Sequence, residues 1–242
     1  MLYKITDKEF GIIKLNLRRG MKNIIFRWKN DQLHIIAPIE ATPENLHKSI
    51  DDNRPRIRAC KADGIRFYEG QVIPLFRSSL TIKLDPSLDK YLVWGRDKSV
   101  PNHFIVSVPT RVDLNDIAVK KTISKVISDV CKRYAPEFLL PFARQEAERV
   151  GQIPKSFDIS HGKRRLGYCT AQGDVKISHF LMLLDEEMVR CVICHELAHL
   201  VHLNHSPAFY RTLNQFLNGR QKELDFEINH FRWPIYTEPC PQ

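Results

Sequence analysis

Between residues 10 and 37 apolar and polar positions alternate in three short runs, 12–17, 24–28 and 33–37, with turn-forming stretches at 19–22 and 29–32 between them. A period of two in β-branched and aromatic residues reads as half-buried strands, so this region is predicted to be a small β-meander. Thr42-Pro43-Glu44 then combines an N-cap, a proline at the first helical position and an acid in the first turn. The helix it opens is expected to span about 42–62 and to end before Gly64. Strand-like runs return around 67–76, 80–84, 91–94 and 104–108, punctuated by Gly70, Asp85-Pro86 and Gly95.

Past Val108-Pro109 and Asp113 the period lengthens. Ile117, Val119, Ile123, Val126, Ile127 and Val130 recur at helical spacing, and Pro136 and Pro141 are expected to break this region into two helices, the second ending near Gly151. A short strand at 157–160 precedes two runs, 164–170 and 175–178, that read as a hairpin around Ala171-Gln172-Gly173-Asp174. Asp185 is placed to cap the next helix, with Glu186 and Glu187 complementing its dipole. Phe209, Leu213 and Phe216 form an apolar stripe on a later helix closed by Gly219, and an aromatic tail follows at 231–236. The sequence shows no internal repeat.

Composition bounds the functional classes. The chain has 242 residues, 43% hydrophobic and 27% charged, ordinary for a globular protein. No apolar run approaches the roughly 18–20 residues that span a bilayer, and the first residues are polar and charged, so no membrane partner and a cytoplasmic location are expected. The six cysteines (Cys60, Cys131, Cys169, Cys191, Cys194 and Cys240) are then expected to be reduced. Cys191-x-x-Cys194 falls inside a helix and reads as two small buried hydrophobes. Residues 1–115 carry 20 Lys/Arg against 13 Asp/Glu, the remainder 17 against 15. The charges are scattered rather than run together, so a solvated basic surface accounts for them, with nucleic acid as the alternative partner.

The chemistry concentrates in residues 192–207. His195-Glu196-Leu197-Ala198-His199 places two histidines four apart on a helix, about one turn on one face, so both rings can reach one ion. Glu196 lies beside that face. Catalytic zinc uses about three protein ligands plus an open position. His202 shares the face but lies seven residues from His195, roughly 10 Å along a straight helix, too far for bonds of about 2 Å. His205 qualifies if the helix ends first. Asn204 tolerates the left-handed conformation that ends helices, and Ser206-Pro207 reads as the N-cap and first residue of a new helix. The apolar flanks, Met188, Val189, Val192, Ile193, Leu197, Leu200, Val201 and Leu203, bury this segment, and its polar residues need partners there.

The chain resembles the YgjP-like family of zinc metallopeptidases, relatives of the WLM and SprT-type proteases. The resemblance rests on Arg165-Leu166-Gly167-Tyr168-Cys169 with Gly173 and Ile177, on His195-Glu196-Leu197-Ala198-His199-Leu200, and on Asn204-His205-Ser206-Pro207-Ala208-Phe209. Leu166 and Tyr168 stand where the family often has Trp and Ser. The resemblance implies an α+β fold: a zincin-like catalytic domain over 111–242, built of an active-site helix, a small antiparallel sheet and helices, preceded by a β-rich N-terminal domain over 1–110. It implies one Zn²⁺ on His195, His199 and His205, with Glu196 catalytic. The ten-residue interval from His195 to His205 is also that of metzincins, but His202 occupies their glycine position and no methionine follows Met188.

The expected function is zinc-dependent hydrolysis of a peptide or protein substrate, with Glu196 as the base for a zinc-activated water. Gly167, Tyr168 and Cys169 are expected to bind an extended substrate through the hairpin edge. Tyr168, His179, Tyr210 and His161 are candidates to lie near the cleft, each with a structural role as the plainer reading. The alternative function is a nucleic-acid-associated zinc protein.

Overall fold

The computed structural model describes residues 2–29, 32–62, 65–162 and 165–236, a mixed α+β chain whose described residues form three small sheets and five α-helices. They fall into two compact units, one up to Arg66 and one from Phe67 to Ile235.

The first unit holds β1 (Leu2–Asp7), β2 (Gly11–Arg18), β3 (Ile25–Lys29), β4 (Gln32–Pro38) and α1 (Pro43–Ala62). The strand order is β1-β2-β4-β3, with β2 and β4 parallel, so the sheet is not the expected meander. The strictly alternating burial of β4, with Leu33, Ile35 and Ala37 fully buried, suits it to an inner position, and the second hairpin therefore docks by β4. Strand β1, which no run in the sequence pattern marks, pairs along its whole length with β2. Its connecting turn is organised by Asp7, whose carboxylate accepts from the N–H groups of Glu9 and Phe10 (2.8 and 3.0 Å) and from Arg54 of α1 (2.8 and 3.0 Å). Leu46, Ile50 and Ile57 bring α1 onto one face of the sheet, against Phe10, Ile13, Leu15, Leu33, Ile35 and Ala37. The helix begins where Thr42-Pro43 predicted; Gly64, Asn30 and Asp31 lie outside the described residues.

The second unit repeats this topology. Strands β5 (Val72–Leu75), β6 (Ser78–Asp85), β7 (Val93–Arg96) and β8 (His103–Pro109) take the order β5-β6-β8-β7, again with parallel inner strands, and again a helix comes next, α2 (Ile117–Val150). Two ββββα modules thus share a topology that no sequence periodicity disclosed. The second module is tied to the C-terminal elements: Phe76 N–H donates to the carbonyl of Met182 (2.7 Å), and its ring lies 5.2 Å from that of Phe142 on α2. These ties lie within the compact unit that begins at Phe67.

Helix α2 runs unbroken for 34 residues with Pro136 and Pro141 inside it, against the expected two helices. Each interior proline costs about 3 kcal/mol. Burial offsets that here, because Cys131, Ala135, Phe138, Leu139, Phe142, Ala143 and Ala147 carry the buried face straight past both prolines. Asp116, rather than Asp113, caps the start, accepting from Ala118 and Val119 N–H, and left-handed Gly151 (φ 68°) ends it.

The third sheet, β9 (Ser156–Ser160), β10 (Gly167–Cys169) and β11 (Asp174–Ser178), has the order β10-β11-β9. The predicted hairpin is β10–β11, but β9 runs parallel to β11, so the sheet is mixed rather than antiparallel. A 3-10 helix, His179–Leu183, leads to α3 (Glu186–Ala198), α4 (Pro207–Phe216) and α5 (Gln221–His230), the last unforeseen. Buried Glu146 of α2 accepts from Arg149 (2.7 Å) and from Arg190 of α3 (3.0 Å); Arg190 also pairs with Glu186 and Glu187, and Glu187 with Arg220. Cys191 and Cys194 pack with Ala198, Phe209, Leu213, Leu217 and Leu224, and burial pushes both thiols up to about 12. Cys131, Cys169, Cys191 and Cys194 are free. In the tail, Trp233 sits edge-on to Phe180, 6.2 Å between ring centres. Among the described residues no helix is long and apolar enough to cross a membrane.

Candidate metal centre

Asp185 accepts from Met188 N–H (2.9 Å) and starts α3, as predicted. The helix delivers His195 and Glu196 from its final turn and stops at His199, its C-cap (φ −69°, ψ −18°). That is earlier than Asn204, and Asn204 is not left-handed; the non-glycine residues with positive φ are Arg77, Asn102 and Asn218 among the described residues. The termination has another cause. The amides of Leu200, Val201 and His202 bond back to Leu197 and Ala198, and the His199 ring, through Nδ1, bonds the carbonyl of His202 (3.0 Å). A side chain closes the turn and no left-handed residue is needed. The chain then reverses into α4 as predicted, with Ser206 Oγ accepting from Phe209 N–H (3.3 Å) and Pro207 at the first helical position.

This reversal brings His205 over the last turn of α3. The Nε2 atoms of His195 and His205 are 3.0 Å apart, and the ring centres of His195, His199 and His205 lie 4.7–5.0 Å from one another. Their nitrogens fall within 4.8 Å, and among the described residues no other group of three His, Cys, Asp or Glu side chains converges so closely. Donors about 2.0–2.1 Å from a tetrahedral ion stand roughly 3.3 Å apart, close to the His195–His205 separation. Beneath it lies the buried Phe209, whose ring centre is 4.6–5.0 Å from all three imidazoles. The sequence pattern assigns Phe209 only to the core stripe of α4; its position two residues beyond Pro207 was the available signal. His202 takes no part and bonds Thr212 Oγ1 (3.0 Å).

Electrostatics suit the rings to ligation. Burial, reinforced by His199 and His205, pushes His195 down to about 4, and burial also lowers His199. Both are therefore neutral near pH 7, the form that binds metals. His199, using Nδ1 for the His202 carbonyl, leaves Nε2 for the centre.

Glu196 is 6% exposed. Burial raises its carboxyl to about 7, opposed by the charge of Arg165 and by a hydrogen bond from the Cys169 backbone N–H. The β10 strand is therefore its wall. Leu166 C=O and Thr170 N–H point at β11, so by strand alternation the backbone groups of Gly167 and Cys169 face away from it. Gly167 lies close enough that a Cβ there would stand 2.8 Å from Glu196 Oε1. The electrostatic reach of Arg165 is not foreseeable from its place in the hairpin motif. Of the remaining candidates, Tyr210 has its ring 6.2 Å from that of His205. Tyr168 is half-buried on β10. His179 is fully buried and bonded to Ser128 Oγ and the Ser160 carbonyl (both 3.2 Å), and the His161 ring lies tilted beside it (5.7 Å).

A family profile described as YgjP-like, metallopeptidase domain, matches residues 22–226. The crystal structure of the metallopeptidase zymogen of Pyrococcus abyssi abylysin aligns at 23% identity over 36% of this chain and 87% of that one, with a TM-score of 0.32. Comparison with curated proteins gave no match.

Proposed function

Since the chain belongs to the YgjP-like metallopeptidase domain family, we propose that it is a zinc metallopeptidase of zincin-like design, with one Zn²⁺ on His195, His199 and His205 and with Glu196 as general base. The observation that carries this reading is the meeting of three imidazoles within 4.8 Å beside a buried carboxylate that the Cys169 N–H holds.

A zinc ion bound there supplies Lewis acidity to a water and to the scissile carbonyl. Glu196 takes the proton of the attacking water and passes it to the departing amine. Burial raises its carboxyl in the metal-free chain, which favours its holding a proton between the two transfers. The Cys169 N–H fixes which way the carboxylate faces, and the absent side chain at Gly167 leaves it room. Strand β10 is the edge of its sheet. The outward N–H and C=O of Gly167 are thus offered to an extended substrate, which binds by adding a strand, with Tyr168 and Cys169 flanking it.

Metal analysis of the wild type, His205→Ala and Glu196→Gln, combined with cleavage of an unstructured protein, tests the proposal. The wild type is expected to carry about one zinc per chain, His205→Ala to lose it, and Glu196→Gln to keep zinc while losing cleavage. Full zinc occupancy in His205→Ala overturns the ligand set, and wild-type activity in Glu196→Gln overturns the base.

A further inference from the structure

The register of the first sheet gathers charges that look scattered in the sequence. Lys4 of β1 lies opposite Lys14 of β2, Lys14 opposite His34 of β4, and His34 opposite Arg27 of β3. These four residues form one unbroken row across all four strands, on the face opposite the one that packs on α1. Neighbouring strands are about 4.8 Å apart, so the row extends roughly 14 Å. Arg18 lies on the same face by alternation, and Arg19 and Lys22 come next in the exposed turn after β2.

Like charges directly opposite one another destabilise a sheet, and this row contains no acid to relieve them. The other described outward positions are Thr6, Ile12, Asn16, Arg18, Ile25, Gln32, Ile36 and Pro38. Lys4, Lys14 and Arg27 have no acidic partner among the described residues. The described acids of this unit are placed elsewhere: Asp7, Glu9 and Asp51 are bound by Arg54, Glu44 and Asp52 stand on α1, and Glu40 lies in the turn beyond the end of β4. Topology does not demand such a row. The second module, with the same strand order, has Val72, Thr81, Ile105 and Gly95 across the corresponding outward line.

We propose that this face binds nucleic acid through its phosphodiester backbone, without reading base sequence. A one-sign row of two lysines and an arginine, joined by a histidine, complements a chain of regularly spaced phosphates. Among its described residues the face has no Phe, Tyr or Trp side chain on which bases could stack, which points to backbone contact. This site is separate from the peptidase reading and does not depend on it.

The test is fluorescence anisotropy of the full chain with labelled (dT)30 and a 30-base-pair duplex across roughly 50–200 mM salt. Binding is expected to weaken steeply with salt. The triple variant Lys4→Gln/Lys14→Gln/Arg27→Gln is expected to bind at least about tenfold more weakly, with the salt slope reduced by roughly 2–3, about one per cation removed. Lys83→Gln/Lys98→Gln, altering exposed lysines of the second module, is expected to bind like the wild type. Circular dichroism checks folding, and Arg27→Gln alone replaces the triple variant if that chain is unfolded, with an expected slope change of about one. No wild-type binding at 50 mM salt, an unchanged salt slope in the row variants, equal loss in the control, or stronger binding to phosphatidylserine vesicles than to DNA overturns the proposal.

Discussion

A Cβ on Gly167 would stand 2.8 Å from both Cγ and Oε1 of Glu196, so the strand and the carboxylate touch with no space for a methyl group. The φ of Gly167 is not positive, so alanine meets no backbone strain there and instead pushes the Glu196 side chain out of place. Gly167→Ala is expected to fold and retain zinc while kcat falls about 100-fold, because displacing a reacting group by about 1 Å has that effect. Zinc content and kcat measured on the same preparation check this. Unchanged kcat means that the carboxylate position is not critical.

Phe209 should couple stability to metal retention. Its ring is fully buried and touches all three imidazoles. Phe209→Ala is expected to destabilise the fold by about 3–5 kcal/mol and to loosen metal binding as the rings lose their floor. Phe209→Leu, closer in volume, is expected to recover most of the stability. Urea denaturation and competition with a chelator separate the two effects; an alanine variant as stable as the wild type would contradict the packing described.

His179 should make the second unit acid-sensitive. Burial, with smaller contributions from Lys132 and His161, pushes it down to about 4, whereas an unfolded histidine titrates near about 6.5. Between these values the unfolded chain holds the extra proton. Its stabilising contribution is therefore whole above about 6.5 and drains away as the pH falls to about 4, a difference of about 3 kcal/mol. Denaturation of wild type and His179→Asn between pH 6.5 and 4.5 is the measurement, and the variant should show the shallower dependence. Identical slopes would show that other groups control it.

Glu146 joins α2 to α3. With its side chain 3% exposed and held by Arg149 and Arg190, its removal leaves an arginine without its buried counter-ion. Glu146→Ala is expected to lose about 3 kcal/mol, the lower part of the range for a broken buried pair, because Arg149 is partly solvated. Glu146→Gln should lose less. Chemical denaturation decides, and a loss below about 0.5 kcal/mol would place the pair among ordinary surface bridges.

What the sequence disclosed was mostly local. The caps at Asp185 and Ser206, the proline at 207, the hairpin around Gly173 and the start of α1 are each set by residues within a few positions, and each stands where its pattern put it. The ligand candidates were legible for the same reason, since a four-residue interval and a chain reversal bring three histidines together. Non-local outcomes were not legible. That β4 inserts beside β2 depends on a face shared by four strands. That α2 survives two prolines depends on what it packs against. The end of α3 was misplaced because a histidine side chain bonding the His202 carbonyl did the work assigned to an asparagine backbone. Strand β1 and helix α5 were missed, their apolar positions being too interleaved with charge to stand out.

Phe209 lies later in the chain than every residue proposed to bind metal or move protons, and the three histidines rest on it. During synthesis His195, Glu196 and His199 therefore emerge well before the support that fixes His205 opposite them. A nascent chain carries the motif without the centre. Under the proposed activity, cutting power arises only when α4 has folded down, and a molecule that loses this packing loses the centre with it.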